Sequence, residues 1–305
     1  MLPGNQKTRL EAFKKRIGRW RFKPARIRMR RAAFQLEPIK SIGVETPVEV
    51  HFLTGRNYWE QTCFCAYSLL LHSNIQPRIV FHDDGTLARQ HSELLLRLLP
   101  NSKVSPIGET VATVNKHFPS NKFPNLNRIT WRLKVMRKLT TVHPGSPGWK
   151  LFLDSDMLFL RAPTRLLEWF RSPQEPCHML DISRCYGYSD GLMSSLVEGE
   201  IPERLNAGLW GIRSDEINWE VLESWASQLI EKEGMRYLIE QAMTAMLFAG
   251  RSCLVFPRAE YIVCPGLVEA IKPQGVMHHY AGDTRRLLIR YGWKRTRDQA
   301  AQRTE

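Results

Sequence analysis

The stretch Trp149-Lys-Leu-Phe-Leu-Asp154-Ser-Asp156-Met-Leu-Phe-Leu160 decides how the rest of the chain is read. An apolar run of strand length ends in two carboxylates and resumes as apolar sequence directly after them. On extended backbone, residues i and i+2 point to the same side. The strand end therefore presents two hard oxygen ligands at one place. Such a pair suits a divalent cation able to bridge phosphate oxygens and offset the charge on a departing diphosphate. The alternative is a turn carrying two solvated acids, against which the apolar flanks argue.

Working outward, strand-like and helix-like segments alternate from Pro47: Val48 to Leu53, the helix-like Asn57 to His72, then Arg78 to Phe81. Helix-like Leu87 to Leu98, a short strand near Lys103 to Pro106 and a helix at about Thr130 to Thr141 follow. Pro144, Gly145, Pro147 and Gly148 form a tight loop into the strand Lys150 to Leu153. The alternation predicts an α/β fold with a mostly parallel sheet and helices on both faces. Ligands of such sheets collect beyond the carboxyl ends of the strands, where the loops converge.

The chain has 305 residues, of which 43% are hydrophobic and nine are Trp, enough to build a packed core. Its longest mostly apolar run, Thr62 to Leu71, is far shorter than the roughly 20 residues a membrane-spanning helix needs. Most of the net charge of +14 sits in residues 1–40, which hold 13 basic and 2 acidic residues. Leu10, Phe13, Ile17 and Trp20 recur there at helical spacing among Lys and Arg, with Pro24 expected to end the helix. That pattern suits an anionic membrane surface, and a solvated tail is equally open. Nucleic acid is set aside because no known nucleic-acid-binding module follows. The six Cys show no paired metal spacing and are expected as free thiols. With no apolar secretory segment at the N-terminus, the expected location is cytoplasmic, peripheral on the inner membrane face where the arm binds lipid. The expected organisation is a basic arm (1–40), one catalytic domain (41–295) and a polar tail (296–305).

Five further segments, in order along residues 47 to 293, resemble the GT-A nucleotide-sugar glycosyltransferases, in particular the retaining family 8 that includes glycogenin and the lipopolysaccharide galactosyltransferases. Asp154-Ser-Asp156 looks like the DxD motif of that fold. Phe52-Leu-Thr54-Gly-Arg-Asn57-Tyr58 resembles its first strand and loop, implying that Thr54, Asn57 and Tyr58 contact the nucleoside. Gly55-Arg56 departs from the acidic residue expected there, and Tyr58 is read as packing under the next helix as readily as stacking on a base. Thr130-Trp-Arg132-Leu-Lys134 resembles the segment whose Arg reaches the nucleotide sugar, so Arg132 is preferred over Lys134, Arg137 and Lys138, which are assigned to a solvated helix face. Asp181 ends the apolar strand from Cys177 and stands where a carboxylate can hold sugar hydroxyls. Arg204-Leu-Asn206-Ala207-Gly208 resembles the signature in which the Asn faces the donor sugar and small residues let the backbone approach it, although Gly208 also reads as an ordinary bulge. Glu240-Gln241 resembles the pair whose Gln lies against the anomeric carbon; a polar pair on a helix surface is the plainer reading. In Val276-Met-His278-His279-Tyr280-Ala-Gly282-Asp-Thr-Arg285, the spacing resembles a His-x-x-Gly-x-x-Lys segment, with His279 as third metal ligand, Arg285 gripping the diphosphate and His278 packing. The Lys-Pro-Trp finish of the pattern is absent.

The resemblance implies a metal-dependent glycosyltransferase of GT-A fold with a Rossmann-like sheet. Mn2+ or Mg2+ would be held by Asp154, Asp156 and His279, and a nucleotide-sugar donor, a UDP-sugar above all, would serve an unidentified glycan or lipid-linked acceptor with retention. The catalytic set would be Gln241, Asp181 and Asn206, and the donor-binding set Thr54, Asn57, Tyr58, Arg132, Asp154, Gly208, Gly282 and Arg285. A haloacid-dehalogenase-type phosphatase needs a later acidic pair, whereas Asp83-Asp84 lies upstream; a nucleotidylyltransferase needs a richer glycine loop than Gly55-Arg56-Asn57. The non-enzyme alternative is a membrane- or nucleic-acid-binding protein on a degenerate scaffold of the same fold.

Overall fold

The computed structural model describes residues 22–40 and 43–303. The stripe Leu10, Phe13, Ile17 and Trp20 lies outside the described residues. From residue 22 the basic segment is packed rather than free. A helix over residues 22–34 (α1) buries Ala25, Met29, Ala32 and Ala33 in the main core, one stripe at helical spacing. Pro24 lies within the described part of α1 and does not end it.

A seven-stranded sheet runs in the order β3-β2-β1-β4-β7-β6-β8. Its strands are β1 (Val44–Thr54), β2 (Ile75–Asp83), β3 (Ser102–Ser105), β4 (Trp149–Leu153), β6 (Cys177–Leu180), β7 (Leu205–Arg213) and β8 (Leu254–Phe256). Only β7 runs against its neighbours β4 and β6; every other pairing is parallel. A second sheet, ordered β5-β10-β9, consists of β5 (Met157–Phe159), β9 (Tyr261–Val263) and β10 (Met277–His279). The mostly parallel α/β architecture expected from the alternation is thus present.

Alternation within β4 shows how the sheet is covered. Leu151 and Leu153 join the core that holds α1, while Phe152 joins the second core with Trp210 and Ile212. The first core is completed by α2 (Trp59–Leu71), α3 (Arg89–Leu98), α7 (Thr164–Arg171) and α13 (Trp293–Gln302). All thirteen residues of α2 are buried, polar ones included. The polar segment 296–305 is likewise part of the body through residue 302, with Thr296 and Ala300 buried on α13. The second core is built with α4 (Ile107–His117), α5 (Pro124–Arg132), α9 (Trp219–Glu233) and α10 (Ile239–Leu247). Among the described residues no helix is long and apolar enough to cross a membrane.

The helix expected over Thr130 to Thr141 is broken. α5 stops at Arg132, Leu133 is extended (φ −123°, ψ 97°), and the chain restarts as a 3-10 turn and a short helix, α6 (Arg137–Thr140). The loop into β4 turns on Gly145 (φ +69°) and Gly148 (φ +95°), backbone conformations that glycine adopts without Cβ strain.

Candidate active site

Asp154, Ser155 and Asp156 form the connector from β4 of the large sheet to β5 of the small one. Two registers hold it. On the large sheet Leu153 stands opposite Leu209, and the Asp154 N–H donates to the Gly208 carbonyl (2.7 Å). On the small sheet Met157 stands opposite His279, and the Tyr280 N–H donates to the Asp156 carbonyl (2.8 Å). Sheet pairing alone therefore delivers His279, 125 residues later in the chain, to the carboxylates. Ser155 is fixed from behind by hydroxyls: Thr62 donates to it (2.8 Å) and Thr54 contacts Thr62 (2.8 Å).

Ligand atoms of Asp154, Asp156 and His279 all lie within 4.8 Å of one another. The His279 Nε2 is 3.4 Å from Asp156 Oδ1 and 3.8 Å from Asp154 Oδ2. Neighbouring donors around an octahedral ion stand about 3 Å apart, a spacing close to the two imidazole-to-carboxylate separations. Two carboxylates and an imidazole are a donor set that Mn2+ and Mg2+ accept, and the residues fit the ion that the resemblance implies. Gly208 makes the approach feasible: a Cβ there would lie 2.5 Å from His279 Cε1.

Charge around the three ligands is balanced by side chains. The Arg285 guanidinium donates twice to Asp156 Oδ2 (2.9 and 2.6 Å) and lies over the Tyr58 ring at 5.7 Å. Burial pushes the Asp156 carboxyl up, but its contact with His279 and the charges of His279 and Arg285 outweigh this and hold it well below the usual range. Lys138, buried on α6, sits 2.7 Å from Asp154 Oδ1 and 3.7 Å from Glu240, and donates to the Ala207 carbonyl (3.3 Å). Burial pushes the Glu240 carboxyl up to about 7, against the pull of Lys138.

Beyond the ligands opens a cavity of about 610 Å³. Of the expected site residues, Thr54, Tyr58, Arg132, Asp154, Asp156, Asp181, Asn206, Gly208, Gln241, His279 and Arg285 line it. Asn206 Nδ2 (2.8 Å) and Gln241 Nε2 (3.5 Å) both donate to Asp181 Oδ2, and the Ile182 N–H donates to its Oδ1 (2.7 Å). Tyr58 is 40% exposed instead of packed under α2. Two expected residues stand off the cavity wall. Asn57 is exposed and is held through its backbone carbonyl; Gly282, in the left-handed region (φ +56°), follows the wall residue Ala281. His278 is the packing residue expected, bonded to Glu269 (2.8 Å) and the Tyr280 hydroxyl (3.1 Å).

The cations of 132–138 and an acid beside them lie differently from the sequence expectation. Arg132 is exposed at the end of α5, on the cavity rim, rather than near the start of the helix expected over Thr130 to Thr141. Arg137 and Lys138 are buried rather than solvated, because the break at Leu133 turns α6 inward. Asp84, one of the upstream acidic pair, lines the cavity: its carboxylate meets Lys134 (3.0 Å) and Thr86 (2.5 Å) and fills the space a side chain at Gly55 would need, 2.1 Å from an added Cβ. The glycine at 55 was the available signal.

The seven-stranded sheet with one reversed strand, and the acidic connector leading from it into a small second sheet above a cleft, have the GT-A fold. Solved glycosyltransferases share it. The galactosyltransferase LgtC, determined with donor and acceptor sugar analogues, is similar with a TM-score of 0.52 and 17% identity over 83% of this chain and 95% of that one. An active-site mutant of LgtC, glutamine to glutamate, gives 0.51 at the same identity and coverage. Mouse xyloside xylosyltransferase 1 gives 0.51 and 14% identity over 79% of this chain and 99% of that one. No protein-family model and no curated protein matches the sequence.

Proposed function

We propose that this chain is a glycosyltransferase that binds a nucleotide-sugar, a UDP-sugar above all, together with Mn2+ or Mg2+ at Asp154, Asp156 and His279, and transfers the sugar with retention to a glycan or lipid-linked acceptor. The observation that carries this reading is the convergence of two acids and an imidazole, from the ends of β4 and β10, at a cleft of about 610 Å³. The glycosyltransferase neighbours support it through the fold. When bound, the ion supplies Lewis-acid charge against the departing diphosphate. Arg285 adds a fixed cation on the same side, and its planar fork suits phosphate oxygens. Tyr58 offers an exposed aromatic face for a base, and Asp84, which also lines the cleft, a carboxylate for ribose hydroxyls.

Asp181 accepts two side-chain amides and one backbone amide. Held in this way, it is placed to orient a sugar hydroxyl. Gln241, which cannot ionise, holds the neighbouring position. This pairing of a neutral amide with a committed carboxylate supports sugar transfer without a strong general base, in keeping with retention.

Purified protein incubated with UDP-sugars should consume donor only with added divalent metal. Full turnover in excess chelator overturns the metal assignment, and an unchanged rate in Asp156→Ala overturns that ligand. Binding of liposomes or DNA with no consumption of any nucleotide sugar favours the non-catalytic alternative.

A further inference from the structure

The Gly55–Tyr58 loop has two sides. One presents Tyr58 to the cleft, against Arg285. The other is gripped by α1. Arg26 donates to the Asn57 carbonyl and through Nε to Glu60, and Arg30 donates to the Arg56 carbonyl (3.1 Å) with its Nε 3.4 Å from the second Glu60 oxygen. Glu60 lies in the first turn of α2 and is fully buried. Arg30 also stands over the Trp59 ring at 5.9 Å. Tyr58, at the N-cap of α2, makes no side-chain capping bond; the Tyr58 and Trp59 N–H groups close the turn on the Gly55 carbonyl (2.9 and 3.0 Å), and the two guanidinium groups hold its outward carbonyls at Arg56 and Asn57. A planar guanidinium can serve a carboxylate and a carbonyl at once, which a lysine ammonium on its single point cannot do with the same geometry.

Resting on the donor-site reading above, we infer that Arg26 and Arg30 are positioning residues of the nucleotide site: α1 holds the carbonyl side of the 55–58 loop so that Tyr58 meets the base in one fixed pose. Neither arginine lines the cleft; both act through the loop. A scaffold role alone would lower stability and leave ligand affinity in place. Arg97 of α3 provides that contrast, since it donates to the carbonyls of Phe34 (3.4 Å) and Leu36 (3.3 Å) at the far end of α1 and touches nothing of the loop.

The test is calorimetric titration of the full chain with UDP in Mn2+, with Mn2+ alone in parallel, for native protein and for Arg26→Lys, Arg30→Met and Arg97→Met. Arg26→Lys keeps a charge beside Glu60, so folding is spared while the bridging geometry is lost. Expected are losses of about tenfold in UDP affinity for the Arg26 and Arg30 variants, comparable with the removal of orienting contacts at other ligand sites, with Mn2+ binding within about twofold of native in every variant. Arg97→Met should bind UDP like the native chain at a reduced melting temperature. Native-like UDP affinity in both loop-gripping variants overturns the inference, as does a parallel loss of Mn2+ binding, which would mark general disorder. A native chain that binds none of UDP, GDP or CMP in Mn2+ overturns the donor reading itself, and this inference with it.

Discussion

Two glycines of β7 allow the metal site to be tested against an internal control. A Cβ on Gly208 would lie 2.5 Å from His279 Cε1, 2.7 Å from Met157 Cε and 2.8 Å from Asn206 Oδ1. A Cβ on Gly211, on the opposite face, would lie 2.5 Å from Trp169 Cη2 and 2.9 Å from Cys177 Sγ, inside the core. Neither position has the positive φ that would forbid alanine, so crowding alone decides the outcome. Inserting one methyl into such space costs about 1–3 kcal/mol by overpacking, and both substitutions should lower stability in urea unfolding by that amount. The consequences differ at the site. Relieving a 2.5 Å contact to an ordinary carbon separation of about 3.5 Å pushes the His279 ring by about 1 Å. Its Nε2 now stands 3.4 Å and 3.8 Å from the two carboxylates, and that displacement takes it out of a shared coordination shell. Gly208→Ala should therefore lose about 10- to 100-fold in Mn2+ affinity, the scale seen when ligand orientation is lost, and Gly211→Ala should not. The assay is Mn2+ titration by calorimetry on both variants, with unfolding measured in chelator. Native-like Mn2+ binding by Gly208→Ala, at a stability cost equal to that of Gly211→Ala, would refute the placement of His279 in the ligand set.

Other expectations follow from the buried charges and thiols. At pH 8, Lys138→Met leaves the carboxylates of Asp154 and Glu240 without their shared counterion; breaking such a pair costs about 3–5 kcal/mol, and the lower end applies because Asp154 is partly exposed and Glu240 can take up a proton. A loss under about 1 kcal/mol in urea unfolding would contradict the pairing. Glu240 binds its proton up to about pH 7 in the folded chain, against 4.5 for the ordinary side chain. The folded state then holds the extra proton, so its contribution to stability falls as pH rises between those values and is flat above them. In chelator, Glu240→Gln should flatten that part of the stability profile, and an unchanged slope would refute the assignment. Burial pushes the Cys63 thiol up to about 12 and those of Cys65 and Cys177 well above their ordinary value. A disulfide reagent at pH 8 should label exposed Cys185 in the native chain and reach those three only after denaturation, as peptide mapping would show.

Much of this fold is written in local pattern. Leu151, Phe152 and Leu153 announce a strand covered on both faces, and the two acids that follow mark its carboxyl end. The convergence of His279 with that end was legible only through the resemblance, because it is made by the pairing of β10 with β5, which periodicity does not encode. Lys138 illustrates what stayed hidden. Within a run of cations, Arg132, Lys134, Arg137 and Lys138, a regular helix would place it outward; the break at Leu133 and the distant Glu240 reverse that, and neither has a local signature. Asp84 has no local signature for a similar reason: its carboxylate occupies the empty side-chain position at Gly55, a complementarity between the ends of two strands.

The reversal of β7 has an architectural consequence. Strands parallel to β4 bring only their last residues to the edge where Asp154 emerges, whereas β7 brings its first, Leu205 to Gly208. The segment that leads into it, residues 181–204, must therefore arrive over the same rim, with Asp181 at its outset and Asn206 just past its end. Lengthening or replacing the middle of that incoming strap would reshape what an incoming molecule meets there, while the ladder beneath keeps the acids in register. The orientation of one strand thus divides the rim into a half open to redesign and a half locked to the sheet.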